Sequence, residues 1–138
     1  VRTPIMVRWT GQIEPRRDAK YPVSTIDLVP TVLAALGQPV SEDLPGIDLT
    51  DPSAVTERGP AHGAAYRHNI QELGNPAASL KARYIVDGFW KLIDFHDPER
   101  PSRLFELSDD PGETLDLAAT YPDQVDRLEK KLDAWWRP

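Results

Sequence analysis

The chain has 138 residues, 40% hydrophobic and 28% charged, with a formal net charge of −6 and no cysteine. That length suits one domain, or a domain with a remnant of another, and no apolar run reaches the roughly 20 residues of a membrane span. The missing cysteines exclude a disulfide scaffold, a thiol nucleophile and a Cys-ligated zinc site. Nucleic-acid binding is disfavoured, because the whole negative balance falls in residues 87–116, a stretch that repels phosphate.

In chain order, residues 4–9 (PIMVRW) read as a short apolar strand stopped by Thr10-Gly11. Ser24 or Thr25 then caps a predicted helix through about Leu36, with Ile26, Val29, Leu33 and Leu36 at helical spacing and Gly37 as its stop. Pro30 is tolerated only near the start of that helix; a start at Ser24 predicts a bend. Residues 38–60 hold Pro39, Pro45, Pro52, Pro60, Gly46 and Gly59 and read as an irregular connection.

From there the period changes to two. Residues 61–68 form a weak strand candidate. In residues 80–87, Leu80, Ala82, Tyr84 and Val86 alternate with Lys81, Arg83, Ile85 and Asp87. Asp87-Gly88 is predicted as a two-residue hairpin turn, both positions at positive φ, leading into the run 89–95. Residues 104–107 are one more strand, 108–112 (SDDPG) a turn, and 114–119 a short turn of helix. The last element is a helix from Asp123, with Val125, Leu128, Leu132 and Trp135 or Trp136 as an apolar stripe to bury against the sheet.

Chemistry-bearing motifs are few. Asp94-Phe95-His96-Asp97 lacks a third ligand for a metal, and Asp109-Asp110-Pro111-Gly112-Glu113 lacks the alternating ligand spacing of a calcium loop, so both read as surface turns. No GxSxG elbow, glycine-rich phosphate loop or HExxH helix occurs. His68 follows Tyr66-Arg67 at the end of a strand, where side chains reach a rim; an ordinary surface histidine is the competing reading.

Four blocks nevertheless occur together and in order. Residues 1–13 (VRTPIMVRWTGQI) resemble the sulfatase family's "VRVPLIVRWPGKI", and 23–33 (VSTIDLVPTVL) its "VSxxDLxPTxL" helix. Residues 86–93 (VDGFWKLI) are similar to "RDGxWKLI", and 104–117 (LFELSDDPGETLDL) to "LYDLxxDPxExxNL", with Asp116 in place of asparagine. The chain is thus identified as resembling the C-terminal portion of the sulfatases, within the alkaline-phosphatase-like superfamily. The resemblance implies an α+β fold: a small antiparallel sheet of about four strands packed by a C-terminal helix, preceded by the last strand and helix of an α/β domain. The implied division is 1–37 as the tail of the large catalytic domain, 38–60 as the connection and 61–138 as the small domain.

For function, the resemblance implies a sulfuric ester hydrolase that uses formylglycine and calcium. The family's nucleophile motif, metal ligands and catalytic lysine lie upstream of the block matched by 1–13, so no catalytic or metal-binding residue is expected here and the chain alone is expected to be inactive. Pro101-Ser102-Arg103 matches part of the Cys/Ser-x-Pro-Ser-Arg nucleophile motif, but Glu99 stands at the nucleophile position and cannot become an aldehyde. His68 roughly matches the histidine of a family "WEH" strand, which makes His68, Arg67 and Asn69 the expected pocket-rim residues. The expected partners are an N-terminal catalytic domain absent from this chain and a sulfate-ester substrate, with an exposed patch or a dimer through the apolar residues of 1–37. Two other readings stand beside this one: a free-standing interaction module, and a fragment of a phosphodiesterase or phosphonate monoester hydrolase. The start at Val1, with the single methionine at position 6 and no signal-peptide pattern, fits a partial chain; the compartment is left open.

Overall fold

In a computed structural model, which describes residues 3–18 and 20–138, the first helix is built around its proline. Residues Thr25–Asp27 make a single 3-10 turn, and α1 (Leu28–Ala35) starts only after it. Pro30 therefore lies in the first turn of α1, where an N–H has no intrahelical partner, and the expected bend is unnecessary. The helix ends as predicted at Gly37 (φ 65°), where Gln38 N donates to Leu33 O and Gly37 N to Ala34 O, the paired bonds of a Schellman cap.

What α1 buries reverses the usual pattern. Asp27, Pro30 and Thr31 are buried, whereas Ile26, Leu28, Val29, Val32 and Leu36 are exposed. The inward polar groups are fully engaged. Asp27 Oδ2 accepts from Ser24 N at 2.7 Å, and Oδ1 accepts from Ile47 N at 3.0 Å and Arg58 Nη1 at 2.5 Å. Thr31 Oγ1 donates to Asp27 O (2.6 Å) and accepts from Leu49 N (2.9 Å). Gly46, at φ 113°, passes so close that a Cβ there would sit 2.5 Å from Ile26 O. Thus Asp27 and Thr31 of the DLxPT block fasten Ile47, Leu49 and Arg58 to the helix.

Two expectations need correction in this part of the chain. Residues 4–9 enter no strand ladder among the described residues, since a strand needs a neighbour for its N–H and C=O groups and none is supplied here. Inside the region expected to be irregular, Pro52–Thr56 forms a short helix, α2, capped by Asp51 accepting from Ser53 N at 2.8 Å; Asp-Pro is the N-cap and first-turn pairing that signals it.

The chain divides into two compact units, Val1–Gly59 and Pro60–Pro138. The second is a four-stranded antiparallel meander, β1 (Ala61–Tyr66), β2 (Leu80–Asp87), β3 (Trp90–Phe95) and β4 (Arg103–Glu106), in the order β1-β2-β3-β4. Helix α3 (Pro122–Trp135) lies on β2 and β3. Ile85, Leu92, Leu104, Leu128 and Leu132 are wholly buried and form the core, with Trp90, Leu117, Ala118 and Val125 packed around it. This is the expected α+β architecture, a small sheet closed by the C-terminal helix.

The details of β2 depart from the simple alternation. The side that meets α3 carries Arg83, Ile85 and Asp87, with the two charged residues paired to helix residues rather than exposed. Tyr84 points to the other side and lies over Gly63, directly opposite in register; a Cβ on Gly63 would stand 2.4 Å from the Tyr84 ring.

The hairpin turn is one residue later than predicted. Asp87 pairs with Trp90, so the loop is Gly88-Phe89, and only Gly88 takes positive φ (63°). A glycine at the first of two loop positions is the II′ arrangement, which leaves Asp87 in the ladder to reach α3. Residues 114–119 form turns, not a helix, because Asp116 Oδ1 accepts from Leu104 N (3.1 Å) and Ala118 N (3.0 Å) and ties the segment to β4.

Candidate functional site

The three expected rim residues follow the end of β1. A register irregularity at Ala65/Tyr66 closes the strand, and Arg67, His68 and Asn69 continue as an exposed loop. The loop is tethered at several points. Arg67 N donates to Ser79 O (2.7 Å), Gln71 N donates to the hydroxyl of the buried Ser79 (3.0 Å), and Gln71 Nε2 donates to Asn69 O (3.0 Å). At its far side Asn75 Nδ2 donates to Glu72 Oε2 (2.9 Å), and Pro76–Ser79 make a 3-10 turn leading into β2.

Between the strand end and this loop lies an open pocket of about 370 Å³, lined by Tyr66, Arg67, Ile70, Leu73 and Pro76 among others. Arg67 is thus in the pocket wall, and His68 and Asn69 are outside its lining. The structure brings to the pocket residues that sequence reasoning passed over: Tyr66, Ile70, Leu73, Asn75 and Pro76. The available signal was two isolated apolar residues, Ile70 and Leu73, inside a polar loop closed by the turn residues Gly74-Asn75-Pro76.

The aromatic residues at the end of α3 pack against β1. The Tyr66 and Trp136 rings are 6.4 Å apart, Trp136 meets Trp135 edge-on at 6.1 Å, and Trp135 stacks on His62 at 5.1 Å. Arg83 fixes that end of the helix: Nε donates to Asp94 Oδ2 (3.0 Å), Nη2 to Asp133 Oδ1 (3.0 Å), and Nη1 to the Trp136 carbonyl. Asp94, the first acid of the Asp94-Phe95-His96-Asp97 motif, is therefore the partner of a structural arginine.

Elsewhere the acids serve turns and helix contacts. Burial alone would raise the Asp87 carboxyl, but hydrogen bonds from Lys131 and Arg127, with their charges, hold it below its ordinary value. Glu106 is lowered by the Ser108 hydroxyl and the Asp109 N–H, and Asp110 by the N–H of Leu115 together with Thr114. Ser102 of the Pro-Ser-Arg tripeptide donates to Glu129 Oε1 at 2.9 Å across to α3. Among the described residues no three His, Asp or Glu side chains come together as a metal site. Nor is any described helix long and apolar enough to cross a membrane.

The sequence matches the family model described as "N-sulphoglucosamine sulphohydrolase, C-terminal" over residues 1–136. The chain belongs to this sulfatase family. Its relatives include arylsulfatase K of Xenopus laevis, 27% identical over 88% of this chain and 23% of the relative. An N-acetylgalactosamine-6-O-sulfatase of Bacteroides thetaiotaomicron is 29% identical over 96% of this chain and 27% of the relative. The fold is shared with yidJ of Bacteroides fragilis, a proposed sulfatase, at a TM-score of 0.66 and 20% identity, covering 92% of this chain and 27% of that one. This sulfatase C-terminal chain therefore spans about a quarter of the length of the relatives it matches.

Proposed function

We propose that this chain is the structural and pocket-rim portion of a sulfuric ester hydrolase, with the formylglycine, the calcium and the residues that handle them in an N-terminal catalytic domain outside it. The observation that carries the reading is the family match over residues 1–136 of a chain that spans about a quarter of its relatives' length. Sulfate-ester cleavage requires stabilisation of charge on sulfate and on the leaving oxygen, which a metal and fixed cations supply. Residues 1–37 are then the tail of the large α/β domain, 38–60 the connection and 61–138 the small domain. The outward apolar side of α1 supports this, because an exposed row of Val29, Val32 and Leu36 suits a surface that another part of the protein covers.

Within this proposal Arg67, His68 and Asn69 stand on the rim facing the substrate, Arg67 as the cation that suits a sulfate ester. The test compares hydrolysis of 4-nitrocatechol sulfate by the 138-residue chain and by a protein that carries it behind a sulfatase catalytic domain. No turnover is expected from the chain and calcium-dependent turnover from the longer protein. Metal-dependent turnover by the chain alone would overturn the assignment.

A further inference from the structure

We infer that Asp87-Gly88 is a modification site, the step at which this chain forms isoaspartate, and that Arg127 and Lys131 of α3 hold it unreacted. It is the one Asp-Gly step in the sequence, and no Asn-Gly step occurs. Asp51, Asp97, Asp110 and Asn75 precede proline, whose nitrogen has no proton to give up on ring closure. Before a glycine, the attacking nitrogen has no adjacent side chain to shield it. The surroundings add no shield: a Cβ on Gly88 would meet nothing within 4 Å, and Gly88 N has no backbone acceptor among the described residues.

In the reaction Gly88 N bonds to Asp87 Cγ, the carboxyl's hydroxyl leaves with the amide proton as water, and a succinimide results. Water then adds back. Opening of the ring at the main-chain carbonyl carbon of Asp87 leaves the chain running through Cγ, an isoaspartyl link longer by one backbone carbon. The reactive form is a neutral carboxyl turned onto the nitrogen of the next residue, and the structure opposes both conditions. Asp87 Oδ2 accepts from Arg127 Nη1 (2.6 Å) and Lys131 Nζ (2.8 Å), which favours the carboxylate and draws it towards α3. Arg127 is itself set in place, its Nε donating to Gln124 Oε1 at 3.0 Å. Asp87 also stands in the ladder opposite Trp90. An added backbone carbon would disturb that pair and withdraw the carboxylate from α3.

The test ages three proteins in mildly acidic buffer at body temperature, after circular dichroism has confirmed that each is folded. They are the unaltered chain, the double variant Arg127→Gln/Lys131→Gln, and Val125→Ala, which loosens the packing of α3 without touching either cation. Isoaspartate is measured by enzymatic methylation of isoaspartyl groups and located by peptide fragmentation. The double variant should accumulate it at position 87 about fivefold faster than the unaltered chain, the effect of losing a two-cation contact near the surface. Val125→Ala should change the rate by less than about twofold. Asp87→Glu, added to the double variant, should give none at that position, because the longer side chain closes a larger ring far more slowly. Equal rates in the unaltered chain and the double variant, an equal gain from Val125→Ala, or product that forms first at another residue would each overturn the assignment.

Discussion

Lys91 Nζ lies 2.7 Å from both carboxylate oxygens of Glu113, and Glu113 is the one described non-glycine residue with positive φ, at 57°. The pair joins β3 to the turn after β4 and is mostly shielded from water. The left-handed backbone at Glu113 costs energy that the bidentate contact offsets.

Glu113→Gln should therefore destabilise the protein by roughly 2–3 kcal/mol, chiefly by leaving the buried Lys91 ammonium without a counter-charge. Adding Lys91→Met should recover part of the loss. Urea unfolding of the two variants checks this, and a double variant no better than Glu113→Gln would show that the turn conformation, not the charge, decides.

Asp27 should be the most sensitive position in the first unit. Its carboxylate receives Arg58 and two backbone N–H groups with no exposure to water, so Asp27→Ala strands three donors, at a cost of about 3–5 kcal/mol. Gly46→Ala should act similarly by a different cause, a collision of the new methyl with the Ile26 carbonyl. Limited proteolysis should then cleave within 38–58 in both variants and leave 60–138 intact.

Acid should weaken the contact between the hairpin and α3. The folded Asp87 carboxyl is held below its ordinary value of 3.8 by Lys131 and Arg127, after burial has pushed the other way. Its contribution is present above that ordinary value and disappears as pH falls through the lower folded one. Asp87→Asn should flatten that part of the acid-unfolding curve, measured by circular dichroism between pH 5 and 2, roughly the range over which carboxylates protonate. A curve of unchanged shape would assign the acid sensitivity to Glu106 and Asp110, whose carboxyls are lowered in the same direction.

Arg83→Lys should loosen the C-terminal aromatic group. A lysine cannot serve Asp94, Asp133 and the Trp136 carbonyl at once, as the guanidinium does. Tryptophan emission should shift to longer wavelength at a temperature below the global unfolding transition, while the far-ultraviolet signal holds.

The sheet and its helix were legible because their signals are local. Alternation in 80–95, the glycine at 88 and the stripe Val125, Leu128, Leu132 each follow from backbone geometry alone. What was not legible depended on partners far away in sequence. The hairpin turn moved by one residue because Asp87 bonds Arg127 and Lys131, 40 and 44 residues on. Residues 114–119 form turns because Asp116 Oδ1 accepts from both Leu104 N and Ala118 N. The strand expected at 4–9 has the right composition, but pairing is a property of two segments and sequence shows one. Arg67, singled out in the sequence through its place beside His68, lies in the pocket wall. Ile70 and Leu73 become meaningful only once the loop folds back onto Tyr66.

Because α1 turns its aliphatic residues outward, they contribute nothing to its own fastening, and charge can be painted onto that side at little cost. Val29→Lys, Val32→Glu and Leu36→Lys should each leave the melting temperature nearly unchanged, within about 0.5 kcal/mol of stability. The same three changes should raise the concentration at which the chain stays monodisperse in light scattering, giving a more tractable sample for the measurements above.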